Sequence, residues 1–373
     1  MANCGGSIMT DFLVTNGSVA GISTVETHNS STGALIATTS GSLLDISKDG
    51  TKSVVISANS PYTLSILSLP SLSVLATTTV SNTGWSLAKF TPDSNYIIAQ
   101  YTSTYCFDVA TMTQQAVVAT AYNPFDFFTD STYLIGYNNN TANLDKVSIP
   151  GLSISVSVIN TGVGFNPLAV LDSTNAVVGG GQHLTLPGMT LNSNYYGTNN
   201  YSNFEYYIWA DTTTNLVYGP TFGNHTHLSN TSYYQGFQFG VWPATTTSQA
   251  STQIFTFDNG TINTHAQVNF YIDKVNHLVY GADQSNSLIA KFNPVTSGVT
   301  TVSVPSIYQI ALDPSGLNIY YCSNNSPSYV TVTNSTLTTS GTYLYTASGY
   351  LYNIFYVHPT TTTTINSNFF AFM

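Results

Sequence analysis

Seven times along this chain an aspartate ends one apolar run and opens a turn into the next, and that recurrence limits the fold more than any other feature. The best-formed copy, Ile310 to Cys322, reads I-A-L-D-P-S-G-L-N-I-Y-Y-C. An apolar run stops at Asp313, Pro-Ser-Gly supplies turn formers, and a run of β-branched and aromatic residues begins at Ile319, which predicts two antiparallel strands joined by a tight turn. Related phrases follow Asp49 (D-G-T-K-S-V-V-I), Asp93 (D-S-N-Y-I-I-A), Asp130 (D-S-T-Y-L-I-G), Asp172 (D-S-T-N-A-V-V), Asp211 (D-T-T-T-N-L-V-Y) and Asp273 (D-K-V-N-H-L-V-Y). An eighth copy, Y-N-I-F-Y-V-H-P, has His358 at the aspartate position. The intervals are 44, 37, 42, 39, 62, 40 and 45 residues. Apart from the fifth, they cluster near about 41, the repeat length of a four-stranded propeller blade.

Each repeat contains four short strand-like runs separated by Gly, Pro, Asn and Ser, which fits antiparallel meanders set radially around an axis. The two ends complement each other. The N-terminal F-L-V-T-N-G, A-G-I-S-T-V-E-T and G-A-L-I-A-T-T correspond to second, third and fourth strands, and the C-terminal Y-N-I-F-Y-V-H-P to a first strand. Pairing them completes one blade and removes two open sheet edges. The expected fold is therefore an all-β, single-domain propeller over residues 1–373 with eight four-stranded blades, or seven if 165–199 is a connector. The wording L-V-Y-G, N-I-Y-Y and Y-V-T-V-T-N resembles the YVTN-type β-propeller repeats of microbial surface proteins, a resemblance spread over most of the chain.

Composition narrows the partners. The 373 residues include only six Lys and Arg together, all of them Lys, against sixteen acids, for a formal charge of −10. Binding to nucleic acid needs Lys/Arg-rich surface to neutralise phosphate, so it is not expected, nor is an anionic membrane surface. No run of about 18 apolar residues suggests a membrane-spanning helix. The exterior must be largely Ser, Thr, Asn, Gln and Tyr. Arg-free and rich in Tyr, Thr and Asn, the composition resembles that of virion proteins of viruses infecting acidophilic archaea, and the N-terminus has no basic start or apolar core of a secretory signal. Cys4, Cys106 and Cys322 are too few and too far apart for a disulfide framework or a zinc site. Nine N-x-S/T sequons in polar turns would permit glycosylation where the machinery is met.

The recurring aspartates are expected to accept hydrogen bonds from the backbone of their own turns. His225-Thr226-His227 is the one close histidine pair; i and i+2 share a strand face, but no second ligand cluster accompanies it. The remaining histidines, 28, 183, 265, 277 and 358, are expected at the surface or in hairpins. No nucleophile elbow, phosphate loop or convergent acid pair stands out, so no catalytic residue, cofactor or metal is assigned.

Two segments exceed the repeat. The fifth interval carries about 20 extra residues near 220–252, an apparent insertion in blade five whose Tyr233, Tyr234, Phe237, Phe239 and Trp242 are the candidate interaction residues, since aromatics are enriched at interface cores. The second is the 360–373 tail, read as a closing strand or a docking arm. The function these observations favour is a non-catalytic structural or adhesive module on a virion or extracellular surface, contacting other virion or surface proteins or host glycans. The alternative is an extracellular propeller hydrolase, lactonase-like or glycan-cleaving, with its site at the mouth of the central channel.

Overall fold

The computed structural model describes the backbone of residues 10–359 apart from 81–84, 86, 160–167, 171, 179–181, 196–202, 205–208, 212–215, 227–232, 244–251, 258–267, 274–275, 284–286, 294–295, 297, 314 and 324, with side chains from 192 to 270 outside the description. The described residues contain strands and no helix. The strands sort into eight antiparallel sheets, seven of four strands and one of five, arranged as a β-propeller.

From inner to outer strand, sheet 1 is Tyr350–Val357, Phe12–Val19, Ile22–Asn29 and Leu35–Ser40. Sheet 2 is Ser42–Ile46, Lys52–Ile56, Thr63–Ser68 and Val74–Thr79, and sheet 3 is Leu87–Phe90, Tyr96–Gln100, Thr104–Asp108 and Gln114–Val118. Sheet 4 is Tyr122–Phe127, Tyr133–Asn138, Asn143–Ser148 and Ile154–Ile159, and sheet 5 is Leu168–Val170, Asn175–Val178, Gln182–Thr185 and Thr190–Tyr195. In sheet 6, Asn203–Phe204 and Trp209–Asp211 both pair Leu216–Thr226, followed by Tyr233–Pro243 and Thr252–Phe257. Sheet 7 is Val268–Asp273, Leu278–Asp283, Leu288–Asn293 and Gly298–Ser303, and sheet 8 is Ile307–Leu312, Asn318–Ser323, Tyr329–Asn334 and Thr342–Thr346.

The core lies between sheets. Val54, Ile56, Leu64 and Ile66 of sheet 2 pack on Trp85, Phe90, Ile97 and Phe107 around sheet 3, and sheets 3 and 4 meet through Ile98, Cys106, Phe125 and Leu134. A middle strand is thus covered on both faces, which is why V-V-I, I-I-A and I-Y-Y are apolar at successive positions instead of alternating. The outer strands are exposed at their margins, and their half-buried residues alternate with exposed ones.

Sheet 1 unites the two ends of the chain. Phe12 pairs Val357, Val14 pairs Phe355 and Asn16 pairs Asn353. His358, the odd member of the aspartate series, contacts Asp11 through Nδ1, and the Tyr356 hydroxyl donates to the other Asp11 carboxylate oxygen at 2.6 Å.

A second repeat, unseen in the sequence, governs the turn between third and fourth strands. Leu72, Met112, Leu152, Met189 and Leu337 each adopt positive φ there, between 51° and 59°, and each is buried. Left-handed backbone is uncommon for an apolar L-residue. Here it swings a long side chain, unbranched at Cβ, back into the crevice between sheets, so burial offsets the backbone cost. Sheet 1 departs from this pattern. Gly33 occupies the corresponding place, donating to the Asn29 carbonyl as Leu72 does to Ser68, and a Cβ on it would lie 2.8 Å from the Leu344 carbonyl oxygen. The adjoining sheet already fills the crevice.

Leu13 is fully buried against Ala311, Tyr320 and Cys322 of sheet 8. Leu13→Ala is expected to lower unfolding free energy by about 2–5 kcal/mol, whereas Thr38→Ala on an exposed outer strand should change it by less than about 0.5 kcal/mol; urea titrations of both variants check this.

Candidate functional site

Six of the seven recurring aspartates have described side chains, and each accepts from its own turn. Asp49 accepts from Ser47 Oγ at 2.6 Å and from the Thr51 N–H at 3.1 Å. Asp93 accepts from Thr91 Oγ1 and both nitrogens of Asn95. Asp130 is met by Thr132, Asp172 by Thr174 and Asn175, Asp273 by Asn276, and Asp313 by Ser315 and Asn318. Asp211 ends its strand opposite Leu216. Partial burial pushes the Asp49, Asp93 and Asp172 carboxyls up, but these donors outweigh it and leave them below the usual aspartate value. For Asp130 the Thr132 hydroxyl is the main cause of the same lowering. Carboxylates so engaged hold loops in shape and have few lone pairs left for a ligand.

Four residues before the turn aspartate, on the inner strands of three consecutive sheets, stand Asp45, Lys89 and Asp126. Asp45 is 5% exposed, and its Oδ2 accepts the Phe90 N–H of the next sheet at 2.7 Å. Asp126 repeats the arrangement, accepting the Val170 N–H of its next sheet at 2.8 Å and the Phe127 N–H at 2.9 Å. Between them, Lys89 Nζ donates to the Phe125 carbonyl at 3.3 Å and lies 5.2 Å from the Phe125 ring centroid. Burial pushes the Asp45 carboxyl up to about 7 against the pull of the Phe90 N–H and the Lys89 charge, and raises Asp126 for the same reason. Chemically the row is a set of inter-sheet staples with one carboxyl able to hold a proton near neutrality.

His28 departs from the surface or hairpin position expected of it: it is 4% exposed. Glu26 and His28 share a face of the third strand of sheet 1, and Nε2 lies 3.1 Å from Glu26 Oε2. Nδ1 donates to the Gly33 carbonyl at 3.1 Å, so the contact to Glu26 needs one further proton between the two groups. The ring stacks on Tyr345 of sheet 8 at 3.9 Å and 12°. Burial pushes Glu26 up, but hydrogen bonds from His28 and Ser348 bring it below its ordinary value. The pair is sealed inside the junction between the first and last sheets, where substrate has no access. Cys106 and Cys322 are buried as well, and burial pushes both thiols up to about 12, which makes them inert.

The extra residues of the fifth interval extend a hairpin. Leu216–Thr226 and Tyr233–Pro243 are eleven residues each, against six or fewer in most other strands. Their register pairs Phe222 with Phe237, Pro220 with Phe239, Thr226 with Tyr233, His225 with Tyr234 and Val217 with Trp242. Phe257 follows opposite Phe237, and Phe255 opposite Phe239. By strand alternation, positions 233, 237 and 239 share one face with 222, 255 and 257. Positions 234 and 242 fall on the other, where the register also pairs Gly219 with Gly240 and Gly223 with Gly236. The five interaction candidates are thus divided between two faces of one long hairpin. His227 and the 360–373 tail lie outside the described residues. Among the described residues no group of three or more His, Cys, Asp and Glu is placed to hold a metal ion, and no helix is long and apolar enough to cross a membrane.

Comparison with known proteins speaks to fold. No protein-family model and no curated protein matches the chain. Among solved structures, AztD from Citrobacter koseri superposes with a TM-score of 0.63 at 14% identity, covering 94% of this chain and 98% of that one. The dihydro-heme d1 dehydrogenase NirN superposes at 0.64 and 9% identity, covering 94% and 74%. BamB from Moraxella catarrhalis gives 0.51 at 9% identity, covering 83% and 92%. Across so wide a sequence distance the likeness shows a shared β-propeller architecture and nothing finer.

The raised Asp45 carboxyl makes stability fall as pH rises. The folded state keeps a proton that an unfolded aspartate gives up near pH 4, so the loss runs between about pH 4 and pH 7. The turn aspartates act oppositely and lower down: their contribution is complete above about pH 4 and fades as pH drops through their lowered folded values. Asp45→Asn keeps an acceptor for Phe90 and removes the charge. It should flatten the pH 4–7 dependence and raise stability at pH 7 by on the order of 2–4 kcal/mol, measured by urea unfolding at both pH values.

Proposed function

We propose that this chain is a non-catalytic, eight-bladed propeller module displayed on a virion or extracellular surface, where it contacts other surface proteins or host glycans. The observation that carries this reading is the long hairpin of sheet 6. Strands in the ring's other sheets are eight residues at most, while this one extends two strands to eleven and sets eight aromatic positions on one face. Rigid strands with Tyr, Phe and Trp suit contact at low entropic cost. The acids seen in the described structure support the same reading, because they are engaged with turns, with their own sheet or with neighbouring sheets. A sparsely charged exterior, with 6% charged residues overall, suits contacts made by polar and aromatic side chains. An extracellular hydrolase is the second reading, and the observation favouring it is Asp45, a buried inner-strand carboxyl near neutrality beside Lys89.

Immunogold labelling of negatively stained virions and cell envelopes with an antibody to this chain is expected to mark their surface. A glycan array and pull-down with the purified protein should give binding that Phe237→Ser and Trp242→Ala reduce by about tenfold or more, the scale of interface anchors. Unlabelled surfaces would refute display, and turnover of lactone or glycoside substrates abolished by Asp45→Asn would favour the hydrolase.

A further inference from the structure

The outer strands ring the molecule with open backbone edges, and an open edge invites another strand unless something blunts it. Charge does not do so here. None of Leu35–Ser40, Val74–Thr79, Gln114–Val118, Ile154–Ile159, Thr190–Tyr195, Thr252–Phe257, Gly298–Ser303 and Thr342–Thr346 contains a Lys, Asp or Glu. A break in register takes its place. Seven of these eight strands lose register against their neighbour, and in six with clear pairing one extra residue is left over: Ile36, Leu75, Gln115, Ser155, Ile254 and Leu344. Such bulges twist an edge away from a partner.

Gly298–Ser303 of sheet 7 is the exception among the described residues. It runs in unbroken register with Leu288–Asn293 through six consecutive pairs, and five of its six residues are exposed. Its sequence, G-V-T-T-V-S, is uncharged and β-prone. We propose that this strand is a self-association edge, pairing antiparallel with the same strand of a second copy of the chain.

The occupant follows from chemistry and symmetry. A two-fold axis perpendicular to the sheet sets one residue opposite its own copy. With the axis at Thr301, Thr301 meets Thr301, a favourable cross-strand pair, while Thr300 meets Val302 and Val299 meets Ser303 with no like charges opposed. Lys291 is opposite Thr300 and Ala290 opposite Thr301, so the two lysines fall in different cross-strand rows. For a chain of net charge −10, an edge free of acids is where two copies approach with least repulsion. One strand pair buries little area, so the dimer forms and dissociates with concentration.

Sedimentation velocity over a concentration series tests this. Wild-type protein is expected to shift from monomer to dimer as concentration rises. Thr301→Lys and Thr301→Glu each set like charges directly opposite and should raise the dimer dissociation constant by about tenfold or more, with unchanged circular dichroism. Mixing the two variants should restore the dimer, because Lys then faces Glu. Thr38→Lys, on a bulged outer strand, should leave association as in wild type. A wild-type protein that stays monomeric, a Thr301→Lys variant that dimerises normally, or a mixture that fails to recover would each overturn the proposal.

Discussion

Sheet packed face to face against sheet is the constraint from which the rest follows. Each middle strand has apolar side chains on both sides, so each sheet needs a neighbour on both sides. A row of such sheets ends in two bare faces, and only closure removes them. Closure is made here by one pairing, Phe12–Val19 with Tyr350–Val357, so the whole core depends on residues that lie far apart in the chain. Loop closure over that length costs entropy that grows only slowly with chain length, and the buried Phe12, Leu13 and Val14 meet it.

Several of the buried polar groups lie at the places where sheets join. Asp45 and Asp126 reach across to N–H groups of the following sheet, and Glu26 with His28 fills the junction between the first sheet and the last. Hydrogen-bonding a neighbour fixes how far one sheet slides against the next, which apolar contacts alone leave free. Desolvation makes such groups costly. In Asp45 the cost emerges as a proton held near neutrality, while in Glu26 a histidine offsets it. The same physical demand, compensating a buried charge, is met in two ways within one ring.

The fold was legible in the chain because its cues are local. An aspartate followed by Ser, Asn, Thr or Gly within two residues specifies its own turn, and the complementary ends around Phe12 and Val357 could be matched as missing strands. What stayed hidden was non-local or contrary to local rules. His28 looked like a hairpin residue because the Tyr345 ring that buries it is more than 300 residues away. Asp45, Lys89 and Asp126 formed no visible constellation, since only the sheet geometry brings the inner strands side by side. Leu72 and Met112 escaped because left-handed turns are read from Gly and Asn. The hairpin of sheet 6 announced itself as surplus length and aromatics, but the register that divides those aromatics between two faces was not in the spacing.

The turns that carry Leu72, Met112, Leu152, Met189 and Leu337 have a consequence for how the rim behaves. Loops at the periphery of a protein are ordinarily the first to open and the first cut by proteases. Here each such loop hangs by a side chain corked into the crevice between two sheets, so it cannot lift without uncovering core. The part of the ring that faces the outside world most directly is thereby tied to its most cooperative interior, and a protease meets the stability of whole sheets where it would otherwise meet a loose loop.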